Sequence, residues 1–112
     1  NATIEKQLFE LLYQALADTR DPGEIKIILT GLLKPNEHAV VAKRLAIAIY
    51  LDKKRSYSNI KQVLKVSSAT IAAVQRTMSS EGVKLALAKV KAEEWAEGWT
   101  ERLGNVFARL VK

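Results

Sequence analysis

The 112-residue chain has no cysteine, one histidine, two prolines and five glycines. Without cysteine it has no disulfide framework, no thiolate metal site and no cysteine nucleophile. One histidine, no glycine-rich phosphate loop and no carboxylate cluster in an apolar setting leave an enzyme without its usual parts. The chain is therefore read as non-enzymatic, with no cofactor and no bound metal. No apolar run approaches the roughly 18–20 residues that a membrane helix needs, and no signal peptide opens the chain. A membrane partner is not expected, and the lack of an oxidative staple favours a cytoplasmic setting. The first residues are Asn1-Ala2 rather than a methionine, which reads as a processed or trimmed N-terminus. Scarce glycine and proline beside 48% apolar residues favour a mostly helical protein over a sandwich or a disordered chain.

Charge is present, and it is concentrated. Lys43, Arg44, Lys53, Lys54, Arg55, Lys61, Lys65 and Arg76 fall between positions 43 and 76, where Asp52 is the only acid. That stretch carries +7, so the rest of the chain sums to −1 within a net charge of +6. A solvated surface usually mixes signs. One sign gathered in one stretch is the footprint of a polyanionic partner.

Hydrophobic spacing gives an all-α reading with about six helices in a single domain spanning residues 1–112. The first helix runs from Thr3 to about Thr19, with Ile4, Leu8, Leu11, Leu12, Ala15 and Leu16 on one stripe. Asp21, Pro22 and Glu24 form a capping-box-like start for a second helix to Leu33. Pro35 and Glu37 suit the first turn of a third, which runs to about Leu51. That helix is apolar around most of its circumference, as a central strut covered on several sides would be. Ser79-Ser80-Glu81-Gly82 precedes a long final helix, about 83–110, carrying Trp95, Trp99 and Phe107.

The most informative segment is 56–79. SYSNIKQVLKVSSATIAAVQRTM reads as two short helices around a tight turn, with Ile60, Val63, Leu64, Val66, Ile71 and Val74 facing inward. Ser56 or Ser58 caps the first helix, and Ser67 or Ser68 the second. The second helix leaves Ser67, Ser68, Ala69, Thr70, Ala72, Ala73 and Arg76 for an outside partner. Small side chains allow close approach, and hydroxyls and methyls can read base edges in a DNA major groove. Double-stranded DNA is therefore the first partner to consider. Tyr57, Ser58 and Lys61 are placed to meet phosphates, joined by Lys65, Gln75 and Arg76, with Lys53-Lys54-Arg55 along the backbone. Lys65 stands where such turns often hold a glycine, so a left-handed residue there would carry strain.

The ordered features LKPNEHAVVAKRLAIAIYLDKKRSYSNIKQVLKVSSATIAAV resemble the tryptophan repressor family. Leu33, Pro35, Glu37, Arg44, Leu64 and Ala69-Thr70-Ile71 stand at the matching places, and the likeness covers about residues 4–90. The early segment EKQLFELLYQAL looks more like the YerC/YecD-type branch than the tryptophan-sensing repressor. The resemblance implies a helical intertwined homodimer that regulates transcription by placing one reading head in each of two successive major grooves. It also implies that Arg44 stands where one carboxylate-binding arginine of the tryptophan pocket stands. The second arginine becomes Ala73, an adjacent glycine becomes Val74, and the threonine before the proline becomes Lys34. Tryptophan is therefore not the expected effector. On the residues alone, an internal ion pair of Arg44 with Glu37 or another acid is favoured over effector binding.

A competing function is a helical adaptor that grips an acidic protein through the helix-turn-helix or the C-terminal helix. Trp95 and Trp99, four residues apart, would pack on one helix face rather than stack on single-stranded bases.

Overall fold

A computed structural model describes the chain over residues 1–97, with side-chain surroundings through residue 93. Six α-helices, and no strand, occur among the described residues: α1 (Ala2–Ala17), α2 (Pro22–Leu32), α3 (Pro35–Asp52), α4 (Tyr57–Leu64), α5 (Ser68–Gln75) and α6 (Glu81–Glu97). The all-helical expectation holds, and the expected bounds of α1–α3 agree to within two residues. The expected continuation of the last helix to Leu110, with Trp99 and Phe107, lies outside the described residues, as does the Trp95 side chain. No described helix is long and apolar enough to cross a membrane.

The chain divides into two compact units, Asn1–Ala39 and a second beginning at Val40. In the first, helix starts are fixed by side chains that accept backbone N–H groups otherwise lacking partners. Asn1 Oδ1 accepts from Ile4 at 3.0 Å, and Asp21 Oδ2 from Glu24 at 3.2 Å with Pro22 in the first turn. Glu37 Oε1 reaches back to the Lys34 N–H at 2.8 Å, the reciprocal half of a capping box. These caps set the helices, yet neither α1 nor α2 has a buried residue. The apolar stripe of α1 faces outward, with Leu8 60% and Leu11 68% exposed, whereas Ile25, Ile28 and Leu29 of α2 are half-buried.

The second unit holds the core. Six consecutive residues of α3, Ala46–Leu51, are buried, which a helix achieves only when neighbours cover it on all sides. Ile60 and Leu64 of α4, Ile71 and Val74 of α5, and Leu87 of α6 complete the cluster. Ile47, Ile60 and Ile71 are wholly shielded from solvent. The strut expected for α3 is therefore observed over its C-terminal half. Its N-terminal half leaves Val40 and Val41 exposed.

α3 ends in a Schellman motif: the Lys54 N–H donates to the Leu51 carbonyl and the Arg55 N–H to that of Tyr50, each at 3.0 Å. Lys54 takes the left-handed conformation, φ 62°, that this ending demands. The turn swings the Arg55 guanidinium over the Tyr50 ring, 5.4 Å from its centroid. Burial pushes the Tyr50 phenol pKa up, and the nearby Arg55 charge partly opposes it. An ion pair of 2.9 Å between Lys91 and Asp52 ties α6 to the end of α3.

Candidate nucleic-acid interface

The helix-turn-helix is built from two eight-residue helices that each bury two aliphatic side chains. Helices this short are marginal alone, so packing and caps hold them. Ser56 caps α4, its Oγ accepting from the Asn59 N–H at 3.1 Å, and Ser67 caps α5 by accepting from Thr70 at 3.1 Å. Where the sequence offers two serines at each start, the first of each pair serves as the cap. The Ser67 and Thr70 hydroxyls also bond each other at 2.9 Å.

Lys65 closes α4. Its N–H donates to the Lys61 carbonyl at 3.0 Å, with φ 57° and ψ 50°, the left-handed geometry anticipated for the turn. For a side chain with a Cβ this costs on the order of 1–2 kcal/mol.

Of the residues singled out on the sequence, Ser67, Ser68, Ala69, Thr70, Ala73 and Arg76 are exposed and Ala72 is half-buried. Helical spacing places Ala69, Ala73 and Arg76 on the side of α5 facing away from Ile71 and Val74. Tyr57, Ser58, Lys61 and Lys65 are also exposed and share a second surface, an open concavity with Ser68 and Gln62. Gln62 was not singled out on the sequence. Its membership depends on how α4 and α5 cross, which no local pattern reports. Arg55, expected along the DNA backbone with Lys53 and Lys54, is exposed, lies over the Tyr50 ring and approaches Asn59 Oδ1 at 3.5 Å.

A separate cleft of about 870 Å³ opens between α3, α5 and α6. It brings Arg44 together with Ala69, Thr70, Ala73 and Val74 of the recognition helix. The expected ion pair of Arg44 is not observed among the described residues. Glu37, its favoured acid, bonds the Lys34 backbone instead. The cleft is large enough for a small molecule. Its chemistry differs from what a zwitterionic, flat-ringed amino acid requires. No acid lines it to hold an ammonium group, Ala73 supplies no second cation, and Val74, buried at 6% exposure, fills space a glycine would leave. No group of histidine and carboxylate side chains able to hold a metal ion occurs among the described residues.

Three comparisons bear on this architecture. A family model described as Trp repressor protein matches residues 7–91, from within α1 through the helix-turn-helix and into α6. No curated protein and no solved structure matches the chain. The family match covers most of the chain and spans both the strut and the reading head, so the protein belongs to the Trp repressor family.

Proposed function

We propose that this chain is a sequence-specific transcriptional regulator that binds double-stranded DNA as an intertwined homodimer and does not respond to tryptophan. The observation that carries this reading is the outer face of α5. Ala69, Ala73 and Arg76 form a small, exposed, cation-ended surface, flanked by an acid-free concavity holding Lys61 and Lys65. Small residues let a helix seat deeply in a major groove, and flanking cations hold it to the phosphates. With its hydroxyl engaged by Ser67, Thr70 suits apolar contact with a thymine methyl better than hydrogen-bond readout. Ala72, half-buried, stands at the edge of this surface.

The homodimer reading is supported by the first unit, where α1 exposes an apolar stripe and α2 exposes Ile27 and Leu32, surfaces that one copy does not bury. A second copy supplies a matching surface by symmetry. The whole chain would then serve as one functional domain, in the cytoplasm where its DNA target lies. The segment EKQLFELLYQAL favours placement with the YerC/YecD-type branch of the family. Loss of the second cation at Ala73 and the bulk of Val74 support release from tryptophan control. The adaptor alternative uses the helix-turn-helix or the C-terminal helix, and the Trp95, Trp99 and Phe107 side chains of that helix lie outside the described residues.

Selection of bound fragments from random duplex DNA at moderate salt tests this function. Enriched fragments should carry two related half-sites with centres about one helical turn apart, roughly 34–36 Å. Recovery of no common sequence would overturn the sequence-specific reading. Thr70→Ala should relax preference at particular base pairs while leaving the salt dependence unchanged.

A further inference from the structure

α4 and α5 form a body of their own. Their backbones lie side by side over more residues than those of any other helix pair among the described residues, and a short link, 53–56, joins them to α3. Ile60 and Ile71 seat this body on the core, but apolar burial is non-directional and does not by itself fix an angle. The angle at which the reading head leaves the strut therefore depends on the few directional contacts at the joint.

One side chain spans that joint. The left-handed turn at Lys54 carries the Arg55 guanidinium back over the Tyr50 ring of α3, 5.4 Å from its centroid, and forward to Asn59 Oδ1 of α4, at 3.5 Å. Both ends of this bridge are anchored. Tyr50 is buried at 5% exposure, and its carbonyl accepts the Arg55 N–H at 3.0 Å, so backbone and side chain of Arg55 meet the same residue. Asn59 stands in the first turn of α4, where the Ser56 cap accepts its N–H at 3.1 Å. A planar guanidinium can lie over a ring while aiming an N–H at an amide oxygen. A lysine ammonium, a compact point charge on a flexible stem, has no such geometry.

We infer that Arg55 is a positioning residue: it latches the first turn of α4 to the end of α3 and so holds the reading head at the angle at which it meets DNA. The inference rests on the DNA-binding reading above and deepens it. It also takes Arg55 out of the run of cations expected along the DNA backbone.

Two substitutions separate the latch from the charge. R55K keeps the charge and loses the planar bridge, whereas R55Q loses both. Residual dipolar couplings of the free protein, measured by NMR, report how α4 and α5 are oriented on α3. In both variants the two helices should turn together relative to α3. In R55Q the Tyr50 phenol, identified by its absence in Y50F, should titrate higher than in the wild type, because the nearby cation that opposes its raised pKa is gone. On a selected duplex both variants should bind about threefold more weakly, the worth of one exposed cation–π contact. The slope of log K against log salt should stay at the wild-type value in both.

A phosphate contact at Arg55 behaves differently: R55K keeps wild-type affinity, and R55Q loses about 0.9 from the magnitude of that slope. A merely structural contact lowers the melting temperature and leaves helix orientation and the affinity of the folded protein unchanged. Either pattern would overturn the latch and leave the DNA-binding reading standing. If the wild type binds no duplex, that reading fails by itself and the dipolar couplings alone decide on the latch: reoriented helices in both variants support it, and wild-type orientations overturn it.

Discussion

The two units of this chain use similar proportions of hydrophobic sequence to opposite ends. From Val40 onward, aliphatic residues of α3, α4, α5 and α6 close around Ile47, Ile60 and Ile71, which solvent does not reach. In Asn1–Ala39, α1 and α2 are also capped and apolar on one stripe, yet none of their residues is fully buried. Helix formation and burial are thus separable instructions. Caps and periodicity settle the first in both units, whereas the second depends on whether another surface is within reach. A unit with its own core can carry a reading head in fixed geometry. A unit without one is suited to association, where its exposed stripe becomes the interior of an assembly.

The sharpest way to break this contrast is to damage each region in turn. Ile60→Ala or Ile71→Ala removes a wholly shielded side chain and should cost about 2–4 kcal/mol through lost transfer energy and the cavity left behind. Chemical denaturation followed by circular dichroism measures it, and the cost should not depend on protein concentration if the core belongs to one chain.

Leu8→Ala and Leu11→Ala, at exposed positions, would cost almost nothing in an isolated chain. In the proposed homodimer they should cost about 1–3 kcal/mol each and make the melting temperature depend on concentration. Equal, concentration-independent melting of these variants and the wild type would remove the basis for the association role of α1.

Within the reading head, Ser67→Ala should cost about 1 kcal/mol because it uncaps α5, while Ser68→Ala should leave thermal stability within about 0.5 kcal/mol. The same pair should rank in the opposite order when duplex affinity is compared at a temperature where both are folded. The smallest expected effect is at the exposed ion pair: Lys91→Ala should cost at most about 1 kcal/mol, and less in high salt. At the alkaline end, the raised pKa of Tyr50 means its neutral form belongs to the folded state. That contribution is present below the ordinary tyrosine pKa and is lost as pH rises through the raised one. Tyr50→Phe should flatten the alkaline limb of a stability-against-pH curve.

The sequence carried most of the fold because its signals are local. Asp21-Pro22 and Lys34-Pro35 mark helix starts wherever they stand, and Ile60, Leu64, Ile71 and Val74 recur with helical spacing across one turn. The left-handed Lys65 was legible too, since a turn this tight needs such a residue. What could not be read locally was through space. Arg44 has no acid three or four residues away, Glu37 two turns earlier is committed to the Lys34 backbone, and the side chain opens instead onto a cleft with α5 and α6. Arg55 looked like one of three equivalent cations until the turn at Lys54 laid it over Tyr50. Ser67 and Ser68 are indistinguishable as caps by composition. Only the backbone decides that the first bonds Thr70 and the second stands exposed beside it.

The division of labour between the two units is tested most directly by native mass spectrometry of the protein with a selected duplex. Two chains per duplex, falling to no stable complex when Leu8→Asp and Leu11→Asp are combined, is the predicted result. A complex of one chain per duplex, unaffected by those substitutions, would contradict it.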